Sequence, residues 1–149
     1  MPVPTPPDDP SAAEDVVRGF LHDVRSGRRP DRAERYLAPR VRAHQGRPGS
    51  AHAVVERSPR QYVAHVREML RAVGPWTFEV LGVAAVGSAV GAAPGSAVEA
   101  TWRQSGVLAG GPDRGRGLVE HGRATYLVQE GRITEYWIEF RHEILPTPA

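Results

Sequence analysis

In the first half of the chain, apolar residues recur at helical spacing. Val16, Val17, Phe20, Leu21 and Val24 form one stripe. Ser11 and Glu14 make a Ser-x-x-Glu capping box just after Pro10, and Gly27 ends the helix. Asp31 and Glu34 open a short second helix through Tyr36 and Leu37. Pro39 stops it by disfavouring helical geometry at Ala38. Val41 to Gln45 reads as a short extended piece, and Gly46 to Arg57 as a loop. Ser58-Pro59 is a helix start, with Pro at the first helical position. Tyr62, Val66, Met69, Leu70 and Val73 then share one face until Gly74-Pro75.

From Trp76 the period changes to two. Trp76, Phe78 and Val80 alternate with Thr77 and Glu79. A Gly/Ala/Pro stretch ending near Gly95 predicts a turn. Val98, Ala100, Trp102 and Gln104 alternate with Glu99, Thr101, Arg103 and Ser105. Gly110 to Gly117 is a loop, and Leu118 to Gln129 a third long strand. Glu130-Gly131 is a tight hairpin signal before a last strand, Arg132 to Arg141. Helices first and hairpin-linked strands afterwards predict an α+β fold with a mainly antiparallel sheet. Such a sheet curls strongly, and three N-terminal helices packed on it close one side into a cone-shaped α+β barrel. A cone with an open mouth suits a small molecule.

Composition narrows the chemistry. The 149 residues are 40% hydrophobic and 24% charged, as expected of one globular domain. Residues 11–145 are expected to form it, with 1–10 a disordered lead-in and 146–149 a frayed tail. There is no Cys, which excludes disulfides, thiol nucleophiles and thiolate metal sites. All 19 basic residues are Arg, so Schiff-base chemistry and a P-loop lysine are excluded as well. Arg25, Arg28, Arg29, Arg32 and Arg35 cluster, but Asp23, Asp31 and Glu34 interrupt them, as on a solvated surface. No nucleic-acid partner is expected. No signal or membrane segment is visible, so the expected location is cytoplasmic, without a membrane partner. The His residues lack metal-ligand spacing, no serine-hydrolase elbow occurs, and neither metal nor cofactor is expected.

Four local patterns resemble the SnoaL-like polyketide cyclase family of the nuclear transport factor 2-like superfamily. They are Tyr36-Leu37-Ala38-Pro39-Arg40-Val41-Arg42-Ala43-His44; Val98-x-Ala100-x-Trp102-x-x-x-Gly106; Gly122 nine residues before Gly131; and Gly131-Arg132-Ile133-Thr134-Glu135-Tyr136-Trp137. The resemblance covers about residues 13–143. It implies the cone fold and a cofactor-independent acid/base enzyme of natural-product biosynthesis, cyclising or isomerising an apolar or aromatic polyketide or terpenoid-like intermediate. The alternatives are an epoxide-opening cyclase or hydrolase, and a non-catalytic small-molecule binder.

In many such cyclases an Asp four residues after the Trp is the general acid/base. Here that position is Arg141, which stays protonated. If that position marks the pocket side, strand parity turns Trp137, Glu139 and Arg141 inward. Glu139 then takes the proton-carrier role with Arg141 orienting it, or the two merely pair. His44 matches the family's His and is either a general acid/base or a packed histidine. Trp102 and Trp137 are expected as pocket walls, or as plain core. Gln104, Glu120 and Tyr126 share the inward parity, and Tyr62 reaches in from the third helix. Glu120 stands out, because an inward carboxylate requires a partner. A different register would turn His121 and Arg123 inward instead. Tyr136, Ile138, Phe140 and Leu127 are left on an apolar outer face, which a two-fold homodimer would cover.

Overall fold

The computed structural model of the protein describes residues 10–74, 76–90 and 93–146. Helix α1 is described over Pro10–Phe20 and so takes in Pro10, the last residue of the expected lead-in. The rest of the expected lead-in, and the tail beyond Pro146, lie outside the described residues. Ser11 sits inside the helix and does not cap it. Glu14 instead accepts the Ala85 N–H at 3.1 Å. The helix continues into one π-helical turn (Leu21–Arg25), in which the Ser26 N–H reaches five residues back to the Leu21 carbonyl at 2.9 Å. Such wide turns gather at functional sites, because they re-aim a side chain. Gly27, at φ 79°, then reverses the chain.

A 3-10 turn (Pro30–Arg32) leads into α2 (Ala33–Tyr36), and β1 (Leu37–His44) starts directly after it. The expected loop up to Arg57 contains a strand, β2 (Val54–Arg57). Its residues are mostly exposed, so no alternation of burial marks it, and β1 sets its register from the sheet edge. Helix α3 (Pro59–Val73) starts at a complete capping box. Ser58 Oγ accepts the Gln61 N–H at 3.1 Å, and the Gln61 side chain accepts the Ser58 N–H at 2.8 Å.

Strands β3 (Thr77–Val90), β4 (Ala93–Val107), β5 (Gly117–Gln129) and β6 (Arg132–Ile144) follow. The turn expected near Gly95 falls partly outside the described residues. The six strands form one sheet in the order β2-β1-β6-β5-β4-β3, with only β1 and β6 parallel. The helices cover one face. Val17, Phe20, Leu21 and Val24 of α1 and its wide turn meet Tyr62 and Val66 of α3 over Val98, Trp102, Tyr126 and Tyr136. This is the expected α+β cone, three helices on a curved, mainly antiparallel sheet.

The β5–β6 hairpin turns on Glu130 (φ 51°) and Gly131 (φ 77°), both left-handed as a two-residue loop requires. Gln129 pairs with Arg132 and Val128 with Ile133, but Leu127 then pairs with Glu135. Thr134 is the extra residue of a β-bulge. One inserted residue moves every later side chain of β6 to the opposite face. Tyr136, Ile138 and Phe140 therefore face the helices, and Trp137, Glu139 and Arg141 face away. This reverses the expected placement of both sets. Leu127 stays on the far face but is buried, outside the main core cluster. Tyr136, Ile138 and Phe140 therefore no longer argue for an apolar subunit interface. Among the described residues, no helix is long and apolar enough to cross a membrane.

Candidate active site

Strand register lines up Phe78, Gln104, Glu120 and His142 in one row across the helix-facing side. The next row is Val80, Trp102, Gly122 and Phe140. Gly122 is required there: a Cβ at that position would lie 2.1 Å from Trp102 Cε2. The missing side chain lets the indole lie across β5.

Arg25 enters this space from the wide turn of α1 and is only 1% exposed. Its guanidinium carbon lies 5.9, 5.9, 5.5 and 5.7 Å from the rings of Trp76, Phe78, Trp102 and Phe140. A cation among aromatic faces is attracted by their quadrupoles. The guanidinium also donates to Gln104 Oε1 at 3.0 Å and to Glu120 Oε2 at 2.7 Å. Glu120 Oε2 further accepts from the Trp102 indole at 3.3 Å. Glu120 Oε1 lies 3.1 Å from His142 Nε2. The buried carboxylate is therefore satisfied on both oxygens, by a fixed cation on one side and an imidazole on the other. His142 is half-exposed and stacks on Phe140, at 6.1 Å and 15°. When the Nε2–H donates to Glu120, Nδ1 carries the lone pair. A carboxylate orients an imidazole as a proton acceptor in this way.

Two clefts flank the Arg25 box. One, of about 270 Å³, is lined by His22, Leu70, Trp76 and Phe78. The other is narrow, with about 20 Å³ of free space, and its walls include Arg25, Arg57, Tyr62, His65, Tyr136 and Phe140. Burial, then Arg57 and Arg25, hold His65 below its ordinary titration range. Burial raises Tyr62, Tyr126 and Tyr136, so all three phenols keep their protons at neutral pH. Tyr126 Oη has no hydrogen-bond partner among the described residues.

The family model of the SnoaL-like domain matches residues 17–136. The chain belongs to the SnoaL-like family. A candidate polyketide cyclase from Acidithiobacillus ferrooxidans is 21% identical, with 94% of this chain and 91% of that chain covered and a TM-score of 0.64. IdmH from Streptomyces antibioticus, also described as a candidate polyketide cyclase, is 18% identical over 86% of this chain and 91% of that one, at TM-score 0.65. An LEH-like epoxide hydrolase of M. tuberculosis is 19% identical over 89% and 85%, at TM-score 0.60. At these identities the similarity shows the fold. No curated sequence matches.

In this SnoaL-like chain, five of the residues expected at the pocket converge inside the cone: Trp102, Gln104, Glu120, Tyr62 and Tyr126. Glu139, His44, Arg141 and Trp137 stand on the other face of the sheet. The bulge at Thr134 puts the three β6 residues there, and pairing of His44 with Trp137 carries β1 along. Glu139 pairs with Arg47 at 2.9 Å, and Arg141 is exposed opposite His121. Arg123 pairs with Glu99 on that same outer face, so the register that turns it inward is not adopted. His44 is stacked on Trp137 at 4.5 Å and 15°. Its Nδ1 meets His52 Nε2 at 2.7 Å, and its Nε2 is held by Glu135. Every ring nitrogen of His44 is thus occupied.

Sequence reading missed three cone residues: Arg25, His142 and His65. His65 follows Tyr62 by three positions on the apolar face of α3, so helical spacing alone places it inward. His142 shares the parity of Tyr136, Ile138 and Phe140, an apolar set that burial favours on the core side. Arg25 lies four positions after Leu21, at the edge of the α1 stripe, where an arginine reads as a surface residue.

Proposed function

We propose that this chain is an acid/base enzyme that cyclises or isomerises an apolar, aromatic or terpenoid-like intermediate of natural-product biosynthesis, with the Glu120–His142 pair carrying protons. One observation supports this most directly. Glu120 is buried among aromatic rings, fixed by Arg25, and presents its second oxygen to a half-exposed imidazole. Arg25 offsets the carboxylate's charge, Glu120 sets the tautomer of His142, and Nδ1 is left to act on substrate. Trp76 and Phe78 supply flat walls to the larger cleft and Phe140 to the narrow one. Protons move between side chain and substrate, so the reaction as written uses no cofactor. Family membership agrees, and similar structures include one described as a candidate ketosteroid isomerase from Kribbella flavida.

The test is product analysis with a panel of aromatic polyketides, terpenoids and epoxides. Glu120→Gln keeps an acceptor for Arg25 and is expected to retain the fold. It and His142→Gln should each lower turnover by about 100-fold or more. Wild-type rates in both variants would overturn the assignment. A second reading is epoxide opening, favoured by the half-exposed His142, which is placed to activate water. Diol products from the epoxides alone would select it. Saturable binding with no product from any class would identify a binding protein.

A further inference from the structure

We propose that the Gly82–Ala85 edge of β3 docks the same edge of a second copy of this chain, and that Glu14 and Arg18 of α1 hold it closed. A sheet edge presents unpaired N–H and C=O groups to any extended chain. This sheet has two edges, β2 and β3. β2 is four residues long and half of it is Glu56 and Arg57, which blunts it. β3 is 14 residues long, and its run Val80–Val90 carries no charge.

The β3 edge is interrupted by its own register. Its pairing with β4 shifts between Val80 and Gly82 and again between Ala85 and Gly87, leaving Leu81 and Val86 as extra residues. Between them, Gly82, Val83, Ala84 and Ala85 pair regularly with Thr101, Ala100, Glu99 and Val98. The Ala85 N–H turns away from β4 and donates to Glu14 Oε1 at 3.1 Å. The Val83 carbonyl, two residues back, shares that direction and accepts from Arg18 Nη2 at 3.4 Å. Arg18 also lies 3.7 Å from Glu14 and 3.7 Å from Asp15. Glu14 and Arg18, one turn apart on α1, thus take the acceptor and donor places of a neighbouring strand. They do so over the uncharged regular stretch.

A second copy fits this edge by symmetry. About a two-fold axis at Ala84, Val83 lies opposite the partner's Ala85, and each such pair exchanges two N–H···O bonds. The same axis brings Leu81 toward the partner's Val86. These two side chains are 55% and 54% exposed, and no charge opposes their contact. A strand of unlike sequence would gain the backbone bonds without this match.

The chain has no Cys, so one introduced thiol links only copies of it. Ala84→Cys places the thiol on the two-fold axis. There a non-hydrogen-bonded pair brings the Cα atoms to about 4.5 Å, within disulfide reach. The experiment follows disulfide dimer formation under mild oxidation by non-reducing electrophoresis, with Glu14 and Arg18 intact or both changed to Ala. Alanine keeps the helix. Removing both side chains should speed the link about 10-fold or more, and Val86→Lys should slow it again. Glu14→Ala alone should fall between, with faster hydrogen exchange of the Ala85 amide. Thr77→Cys, exposed on the same strand outside this stretch, should link slowly in both backgrounds. Equal rates for Ala84→Cys with and without the α1 pair overturn the inference. So does a link through position 77 that rises alongside it, which would report unfolding. An unlinked double variant whose Ala85 amide exchanges faster shows a covered edge without self-pairing and overturns it as well. An equal link to a Cys-bearing β-strand peptide of unrelated sequence would make the edge a general strand acceptor and overturn the self-pairing.

Discussion

His65 gives the fold a pH dependence that can be signed. Its native-state proton affinity lies below the ordinary 6.5, because burial and two guanidiniums disfavour the imidazolium. The unfolded chain therefore binds this proton first as pH falls. The group's contribution to stability is complete above about pH 6.5 and is lost progressively toward the lower native value. Urea unfolding of wild type and His65→Asn should differ by a constant above that pH. Below it, wild type should lose ground to the variant. A difference that does not change with pH would show that His65 is solvated in the native protein. Arg25 makes the complementary point about what residue types reveal. Its charge marks it for the surface, and its neighbours Arg28 and Arg29 are indeed exposed. It is buried because Glu120 and Gln104 receive its guanidinium where the wide turn delivers it, and those two partners lie far along the chain.

At the scale of elements, order and type were legible apart from the edge strand β2, while one register was not. The Ser58-Pro59 start of α3, the period-two strands and the Glu130-Gly131 turn all form where local chemistry directs them, whereas the capping box expected at Ser11 does not. The bulge at Thr134 is different, because neither Gly nor Pro marks it. Its hydroxyl donates to Gln129 Oε1 at 2.6 Å, a contact invisible before the hairpin exists. With a plain two-residue hairpin, Tyr126 would pair with Glu135, and Glu139 would indeed share the cone with Glu120. The family's Asp position supported that parity, whereas the apolar triplet Tyr136, Ile138 and Phe140 argued the opposite, and burial decided. Deleting Thr134 should therefore force charged residues toward the core or break the pairing with β1. A loss of about 3 kcal/mol or more is expected from uncompensated buried charge, against near-wild-type stability for Thr134→Ser, read by chemical denaturation. A deletion variant as stable as the parent would mean that the turn absorbs the shift.

Across the whole molecule, the sheet separates two histidine–carboxylate systems, one inside the cone with two tryptophans and one outside with the third. Trp76 and Trp102 lie within 6 Å of the Arg25 guanidinium. Trp137 stacks on His44, whose ring is held between His52 and Glu135. Composition records three Trp and six His but not which of them meet. Their partition predicts separable fluorescence signals. A Trp137→Phe protein keeps only the cone indoles, and 1-tetralone should quench it saturably. A protein carrying both Trp76→Phe and Trp102→Phe keeps only the outer indole. That emission should ignore the ketone. His44→Gln, which removes the ring stacked on Trp137, should change the outer emission while leaving the ketone signal of the cone tryptophans intact. If the ketone instead quenches Trp137 alone, ligands bind between Arg47 and Arg123 on the outer face, and the site at Glu120 is structural.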